Sequence, residues 1–451
     1  MKKSICILLG VVMMLGILAG CAGSNEQAPA AATAADAQPS VSASGTQPQQ
    51  EPELEGEITI MHYLGGEARN KLFNTLMDEF SEKYPKVDFE SSGTDYANYM
   101  TLIRTKAAAG DMPDFFMATP IKVTDIVDSG KAMDLKAAGL LDTLPLEGDV
   151  YKECEFPDGG IYGMPMSLKL FAVYYNADIF QKYGIQVPKT NSEFLAVCQK
   201  LKDNGVDPFI RAYKDYTQLY ADIKLGLVPA LAENGHSDYY AQLMSGKKKF
   251  ADYPEFISTI DDFNKRLEWS RIDDLANDTN KAAELFAQGK GAMYMGLLSV
   301  VSSCFTINPD FNMACFPYPY TEDPSRHKYI IELDDVWMVS QDTKVKDAVF
   351  KWSQFLYEKE NAQRWAEAGG LVMVEKGIDS TNMRPVLKDL IQANESGQTV
   401  QNCIPQPVGE FVNKYRSYLQ AWVADVKTRT TDKLVQDGQH IYDEIIKSQN
   451  K

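Results

Sequence analysis

The segment 57–117 alternates between strand-like and helix-like patterns, and this order restricts the folds open to the chain. Ile58 and Ile60 occupy alternate positions of one short run, whereas large apolar residues recur at helical spacing between Leu72 and Tyr84. The pattern predicts strands at 57–61, 87–90 and 113–117, with helices at 72–84 and 99–109 between them. Strands separated by helices form parallel sheets, and ligands bind beyond the carboxyl ends of such strands.

The rest of the chain continues this mixture of strands and helices. An apolar run at 170–175 predicts a buried strand, and Thr190 with Glu193 forms a capping box at the start of a helix. Amphipathic patterns predict further helices at 345–356 and 412–426. No internal repeat is visible, so we expect an α/β fold in which the late helices pack against earlier sheets.

The first twenty residues have the pattern of a secretory signal. Lys2 and Lys3 precede an apolar run at 5–18, which is short for a membrane span. The run ends in Leu18-Ala19-Gly20-Cys21, which resembles the bacterial lipobox. We therefore predict a lipoprotein signal peptide at 1–20 and a lipid on the thiol of Cys21. An uncleaved single-span anchor is the alternative.

Beyond Cys21, the chain up to residue 53 lacks the residues that build a core. Residues 22–53 contain nine Ala, five Gln, four Pro and four Ser, and no aromatic residue. A segment of this composition stays flexible and spans about 30 Å as a random coil. We predict that 21–53 comprises the lipidated cysteine and a tether, and that the globular part begins near Leu54.

Composition and charge exclude several classes of protein. Lys and Arg number 45 and Asp and Glu 62, and the resulting net charge of -17 repels nucleic acid and anionic membrane surfaces. No phosphate-binding loop or Cys-x-x-Cys occurs, and the four histidines stand far apart. We expect no metal, no cofactor and no nucleic-acid partner. The five cysteines after Cys21 lack the spacing of a disulfide framework, and whether they pair stays open.

Six short motifs follow one another along the chain. They are AAAGDMPD at 107–114, GIYGMP at 160–165, YYNADIF at 174–180, the segment 184–194, FAQGKGAM at 286–293 with Gly296, and AVFKW at 348–352. In this order, and behind a lipobox, they resemble the extracellular solute-binding proteins of ABC importers. The resemblance is to the carbohydrate-binding group related to the maltose-binding protein.

The resemblance implies two α/β lobes, each with a mostly parallel sheet, which close on a sugar held in the cleft between them. The first lobe would comprise 54–166 plus 318–368, and the second 167–317 plus 369–451. The lobes would be joined near 165–170, 316–319 and 369–371, where Gly and Pro are frequent. The implied partner is an ABC permease, and the protein is expected to act as a monomer on the outer face of the cell membrane.

A sugar presents hydroxyl groups and apolar C–H faces, so its site needs carboxylates or amides around flat aromatic rings. Loops that follow predicted strands, the first crossing and a polar aromatic loop offer such side chains. The candidate ligand-binding residues are Tyr63, Glu67, Asp95, Tyr96, Thr119, Lys169, Tyr213, Asp334, Asp335 and Trp337. For the loop residues, an ordinary solvated role remains open.

Trp337, beside Asp334 and Asp335, is the predicted main stacking platform for the sugar. The alternative is that Trp337 belongs to the core of a strand at 336–339. The chain departs from the family pattern nearby: many relatives have a tryptophan just after the glycine that corresponds to Gly296, but here Leu297 and Leu298 follow it. Another ring therefore supplies the stacking, or the ligand is not a typical oligosaccharide.

These features together predict a lipid-anchored binding protein that captures a sugar or oligosaccharide, and not an enzyme. A binding protein for a non-sugar solute is the first alternative. An anchored glycoside hydrolase is the second, because hydrolysis also needs paired carboxylates in a cleft. Serine or cysteine hydrolysis lacks a Gly-x-Ser-x-Gly elbow and a plausible histidine partner.

We predict that Cys21→Ala abolishes lipid attachment, because the thiol is the only acceptor that the lipobox offers. Metabolic labelling with a fatty-acid probe, followed by membrane fractionation, measures the effect. Cys403→Ala is the matched control and should keep both the label and the membrane association. Labelling and membrane retention that both survive in Cys21→Ala would contradict the lipobox assignment.

Overall fold

The structure, a computed structural model, describes residues 53–449 except 66, 147, 272 and 405–409. The predicted signal at 1–20, Cys21 and nearly all of the predicted tether at 21–53 lie outside the described residues. Among the helices of the described part, none is long and apolar enough to cross a membrane.

The described chain contains strands of two to ten residues. In chain order they are β1 (Gly56–His62), β2 (Val87–Gly93), β3 (Phe115–Met117), β4 (Met164–Pro165), β5 (Ser167–Asn176), β6 (Phe209–Ile210), β7 (Met293–Leu297), β8 (Met313–Phe316), β9 (Tyr329–Leu333), β10 (Val336–Val339), β11 (Val372–Met373) and β12 (Thr399–Gln401).

Helices separate most of these strands. They are α1 (Glu67–Lys83), α2 (Tyr96–Ala109), α3 (Thr124–Asp128), α4 (Ala177–Lys182), α5 (Asn191–Asp203), α6 (Tyr216–Glu233), α7 (Tyr239–Met244), α8 (Pro254–Arg266), α9 (Thr279–Ala287), α10 (Ser299–Ile307), α11 (Lys346–Leu356), α12 (Lys359–Gly369), α13 (Pro385–Glu395), α14 (Glu410–Ala424) and α15 (Thr431–Gln449).

The first sheet contains the strands that the opening pattern predicted. Its order is β2-β1-β3-β10-β4, with β1 parallel to β2 and β3, and β10 antiparallel to both of its neighbours. The alternating apolar residues of β1 are buried, and α1 buries Phe73, Leu76, Met77 and Phe80. Gly110 ends α2 in the left-handed conformation with φ 73°, which suits a residue without a side chain.

The second sheet is built around the long strand β5. Its order is β12-β9-β5-β7-β6, and β8 and β11 also pair with β5. All four partners of β5 are antiparallel to it, whereas β12 is parallel to β9 and β6 is parallel to β7. The other strands therefore share one direction as predicted, but the pairing around the centre is antiparallel because β5 enters the sheet from the opposite side.

One predicted crossing between the lobes is wrong. The range 318–368 was expected in the first lobe, but β9 within it pairs with β5 of the second sheet, Leu170 facing Ile331. Tyr318 is buried in the second hydrophobic core, and its hydroxyl donates to Asp262 of α8. The chain passes to the first sheet between Leu333 and Val336, so the Pro-rich segment 316–319 is a turn inside the second lobe. The other lobe boundaries stay a prediction.

Trp337 is a core residue, contrary to its predicted role as a sugar platform. Its side chain is 0% exposed and lies between Phe73 and Phe115, with ring centroids 5.4 and 4.7 Å away and nearly parallel planes. β10 lies between β3 and β4, and all four of its residues are buried. A strand inside a sheet that is covered on both faces has no side chain facing solvent.

Tyr213 is also part of a core and not of a ligand site. It is 2% exposed, and its hydroxyl donates to Asp222 at 2.5 Å. Asp222 in turn forms a buried ion pair with Arg266. Since the tyrosine satisfies a carboxylate in the interior of the second lobe, it is not available to a ligand.

The five described cysteines are free thiols. Cys154, Cys198, Cys304 and Cys315 are buried, and only Cys403 is partly accessible. Burial raises the pKa of each thiol, which keeps the reactive thiolate scarce.

We predict that Trp337→Ala destabilises the protein by about 3–5 kcal/mol, because it opens a cavity between two packed rings. Trp269→Ala is the control, since Trp269 is only partly buried and should cost less. Denaturant unfolding of both variants measures the difference. Equal and small losses would place the Trp337 ring outside the core.

Candidate functional site

A cleft of about 810 Å³ lies between the two sheets. On the side of the first sheet it is lined by the loop and first turn of α1, including Gly65, Glu67 and Arg69. Its other walls are Lys169 and Asp334 at the crossings, Leu297 and Leu298 at the end of β7, and the segment 368–371 after α12. The volume falls in the range of small-molecule sites.

The cleft lies where parallel strands place ligands. β1 and β3 end at this edge of the first sheet, and β10 begins there because it runs antiparallel. In the second sheet, β7 and β9 end at the same edge while β5 begins there. The side chains that follow these strand ends therefore converge from distant parts of the sequence.

Asp335 anchors the crossing strands to the first lobe. It is 1% exposed and accepts hydrogen bonds from Arg69 Nη1 (3.0 Å), Ser167 Oγ (2.9 Å) and Trp365 Nε1 (3.0 Å). The Arg69 Nε group donates to the Gly65 carbonyl at 2.9 Å. Asp335 was predicted as a ligand contact, but its carboxylate is buried and engaged by three donors, so its role is structural.

Lys169 and Asp334 form an ion pair at the wall of the cleft. The Lys169 Nζ to Asp334 Oδ1 distance is 2.7 Å, and the side chains are 32% and 20% exposed. Burial alone would lower the pKa of Lys169, but the nearby Asp334 and Glu332 carboxylates reverse this effect and raise it. Burial raises the pKa of Asp334, but the ammonium of Lys169 outweighs this effect and holds the pKa below its usual value. Both groups are charged at neutral pH and partly open to the cleft.

Tyr63 places an aromatic ring close to this ion pair, and Tyr96 packs against Tyr63. Their ring centroids are 5.0 Å apart in an edge-to-face arrangement, and Tyr63 also packs edge-to-face on Tyr99 at 4.9 Å. Burial raises the pKa of Tyr63, and the charges of Lys169 and Asp334 are close enough to affect it. Tyr96 is 47% exposed.

The remaining candidates have unequal roles. Glu67 is the exposed first residue of α1 and lines the cleft, where its charge complements the positive end of the helix. Asp95 caps α2 by accepting a hydrogen bond from the Asn98 N–H at 3.2 Å. Thr119, just after β3, is 3% exposed, and its hydroxyl has no hydrogen-bond partner among the described residues.

The structure thus brings Lys169 and Asp334 into one cleft with Glu67, with Tyr63 close to the ion pair and Tyr96 packed on Tyr63. The sequence reasoning did not identify Arg69, because its partner Asp335 is 266 residues away. It also missed the leucine wall of the cleft, although the absence of a ring after Gly296 was noted. The glycines at 369 and 370, predicted as a crossing, do line the cleft.

Residues 66–363 match the family model of bacterial extracellular solute-binding proteins. An ABC transporter extracellular-binding protein of Pyrococcus horikoshii is 24% identical over 409 residues, which cover 87% of this chain and 85% of the relative. The melibiose/raffinose/stachyose-binding protein MelE of Bacillus subtilis is 24% identical over 330 residues, which cover 70% of this chain and 73% of the relative.

Solved structures share the two-lobed fold. The apo form of RafE from Streptococcus pneumoniae superposes with a TM-score of 0.72 at 18% identity, and the match covers 88% of this chain and 100% of RafE. The solute receptor AcbH superposes with a TM-score of 0.70 at 17% identity, covering 87% and 99% of the two chains. The chain therefore belongs to the bacterial extracellular solute-binding proteins, the family that its motifs predicted.

Proposed function

We propose that this protein is a lipid-anchored binding protein that captures a sugar or oligosaccharide in the cleft and delivers it to an ABC permease. Members of the family are transport binding proteins located outside the cytoplasm. Two relatives are named as a multiple sugar-binding protein of Streptococcus mutans and as MelE of Bacillus subtilis. The lipid on Cys21 and the tether would keep the protein at the membrane that holds the permease.

The observation that carries the proposed ligand class is the pairing of Lys169 and Asp334 close to the ring of Tyr63, on which Tyr96 packs. A sugar hydroxyl both donates and accepts hydrogen bonds, so an ammonium and a carboxylate side by side can engage neighbouring hydroxyls. The two side chains hold each other in place before a ligand arrives, which reduces the entropic cost of binding.

The proposed stacking surface is Tyr96, in place of the buried Trp337. The residue is nearly half exposed, and its ring packs edge-to-face with Tyr63. Leu297 and Leu298 offer an apolar wall without a ring. Binding would therefore depend more on hydrogen bonds than in a site that sandwiches the sugar between two aromatic planes.

Two other functions compete with this proposal. Several relatives are named as sn-glycerol-3-phosphate-binding proteins, one of them 27% identical over 166 residues, so a phosphorylated polyol is the leading non-sugar ligand. An anchored glycoside hydrolase is the remaining alternative. Catalytic turnover of a bound sugar would favour it over a binding protein.

We predict that at least one neutral sugar raises the melting temperature and that no product forms. A ligand at 100 times its Kd stabilises the native state by about 2.7 kcal/mol. The screen should contain mono- and oligosaccharides, with glycerol 3-phosphate, amino acids, polyamines and peptides as controls. Stabilisation by glycerol 3-phosphate alone would reject the sugar assignment, and hydrolysis of a bound sugar would reject the transport role.

We also predict that Lys169→Met weakens sugar binding at least tenfold, because it removes a donor from the cleft and frees its acceptor. Calorimetry with the sugar found in the screen measures the affinity. Lys131→Met is the matched control, since Lys131 pairs with Asp342 at 2.9 Å with similar exposure, beyond the far end of β10. Unchanged affinity in Lys169→Met would remove this ion pair from the binding site.

A further inference from the structure

A second group of charged side chains adjoins the Lys169–Asp334 pair. It consists of Lys122, Glu153, Lys224 and Glu332, and we call it the interlobe charged group. Lys122 and Glu153 lie in short helical turns at 120–122 and 148–154, in the part of the chain that precedes the second sheet. Lys224 lies in α6 and Glu332 in β9, which belong to the second lobe.

The sheet register fixes one side of this group. Lys169 and Glu332 are directly opposite each other in the β5–β9 ladder, so their side chains are on the same face of the sheet. Phe171, two residues further along β5, is on that face as well. The Lys224 ammonium lies 5.4 Å from the centroid of the Phe171 ring and 5.6 Å from that of Tyr220. Helix α6 therefore directs Lys224 over the face that carries Glu332.

Glu153 reaches this face from the other lobe. Its carboxylate accepts a hydrogen bond from the side-chain amide of Gln401 in β12. It is also held by the backbone N–H of Leu333, the residue after Glu332. Burial and the neighbouring Glu332 raise the pKa of Glu153 to about 7, so near neutral pH the group can donate or accept a hydrogen bond. The charged group thus contains members from both sides of the cleft.

Several of these side chains have no polar partner of their own. Lys224 is 2% exposed and Glu332 is 6% exposed. Within the described ranges, no hydrogen bond or ion pair shorter than 4 Å engages the side chain of Lys122, Lys224 or Glu332. Their charges are nevertheless close, since the surrounding lysines lower the pKa of Glu332 despite its burial. A buried charge without a direct partner destabilises the protein unless another polar group forms hydrogen bonds with it.

We propose that the interlobe charged group is a second ligand subsite, which binds the hydroxyls of a further sugar unit next to the unit at Lys169 and Asp334. This inference rests on the proposed function. Two ammonium groups and two carboxyl groups of opposite sign are balanced, so a neutral ligand can satisfy all four, whereas a phosphate would face two carboxyl groups. The hydroxyl of Thr119, buried without a partner at the end of β3, adds a further polar group in the first lobe.

The subsite predicts a dependence on ligand length. A ligand with one unit at Lys169 and Asp334 and the next unit beyond Lys169 contacts the charged group, whereas a monosaccharide held at Lys169 and Asp334 does not reach it. Lys224→Met and Glu332→Gln should each reduce the affinity for an oligosaccharide at least tenfold and leave the affinity for the matching monosaccharide within twofold.

Calorimetry of the detergent-solubilised full chain tests this, with two series of probes: galactose, melibiose and raffinose, and glucose, maltose and maltotriose. Lys214→Met is the matched control, since Lys214 is exposed on the same lobe and pairs with Asp278 at 3.5 Å. The melting temperature of Lys224→Met should be unchanged or higher, because the substitution removes a buried ammonium that has no hydrogen-bond or ion-pair partner, and methionine can still pack on the Phe171 ring. Glu332→Gln keeps the shape of the side chain and provides a second variant if Lys224→Met does not fold.

The outcomes separate the subsite from the proposed function. Loss of oligosaccharide affinity with monosaccharide affinity retained supports the subsite. Unchanged affinity for all probes, or equal loss for short and long probes, overturns it while the sugar-binding function stands. Binding of no sugar by the unaltered protein removes the proposed function and the subsite with it.

Discussion

The buried carboxylate of Asp335 is the contact on which the geometry of the cleft depends. It accepts hydrogen bonds from Arg69 in α1, Ser167 at the start of β5 and Trp365 in α12. One donor lies at the start of the central strand of the second sheet and the other two lie in separate helices, so one carboxylate fixes the relative positions of three elements. A buried charge that loses one of its partners destabilises the fold strongly, so substituting any single one of these residues should lower the stability of the protein. Because Asp335 is held in place, the preceding residue Asp334 is also held at the wall of the cleft.

The crossings between the sheets are short and adjacent. The chain passes between the first and second sheets at Met166, again between Leu333 and Val336, and again after Gly370. The first two crossings are tied together, because the Met166 N–H donates to the Asp335 carbonyl at 2.7 Å. Movement of one lobe relative to the other would be absorbed by these few residues, as in hinge closure around a ligand. Lys169 lies three residues after Met166, and Asp334 directly precedes Asp335, so closure would move both side chains little, whereas Lys122 and Lys224 would be moved more.

The sequence was sufficient for features that depend on local periodicity. Elements such as β1 and α1 could be predicted because one of their faces is apolar and the other is largely polar. The role of Trp337 was not recoverable in this way, because β10 is buried on both faces and carries no alternation. Asp334 and Asp335 form the two-residue connection between β9 and β10, and only the fold shows which of the two meets the cleft. Pro317 and Pro319 were mistaken for a crossing because prolines mark turns inside a lobe as readily as turns between lobes.

The residues that the sequence reasoning missed share a physical cause. The role of Arg69 depends on Asp335, far along the chain, and the roles of Lys224 and Glu332 depend on their burial. Charged residues in helices and strands usually lie on solvated faces. Their burial results from tertiary packing, which a single sequence does not display.

The distribution of tryptophan has a practical consequence for spectroscopy. None of the five tryptophans, all of them within the described residues, lines the 810 Å³ cleft, and those at 337, 352, 365 and 422 are buried in cores. Intrinsic fluorescence would therefore report the integrity of the two lobes more directly than the presence of a ligand. If tryptophan emission stays constant during a ligand titration, the result says nothing about whether the cleft is occupied. An attached dye or calorimetry would be needed to detect the bound ligand.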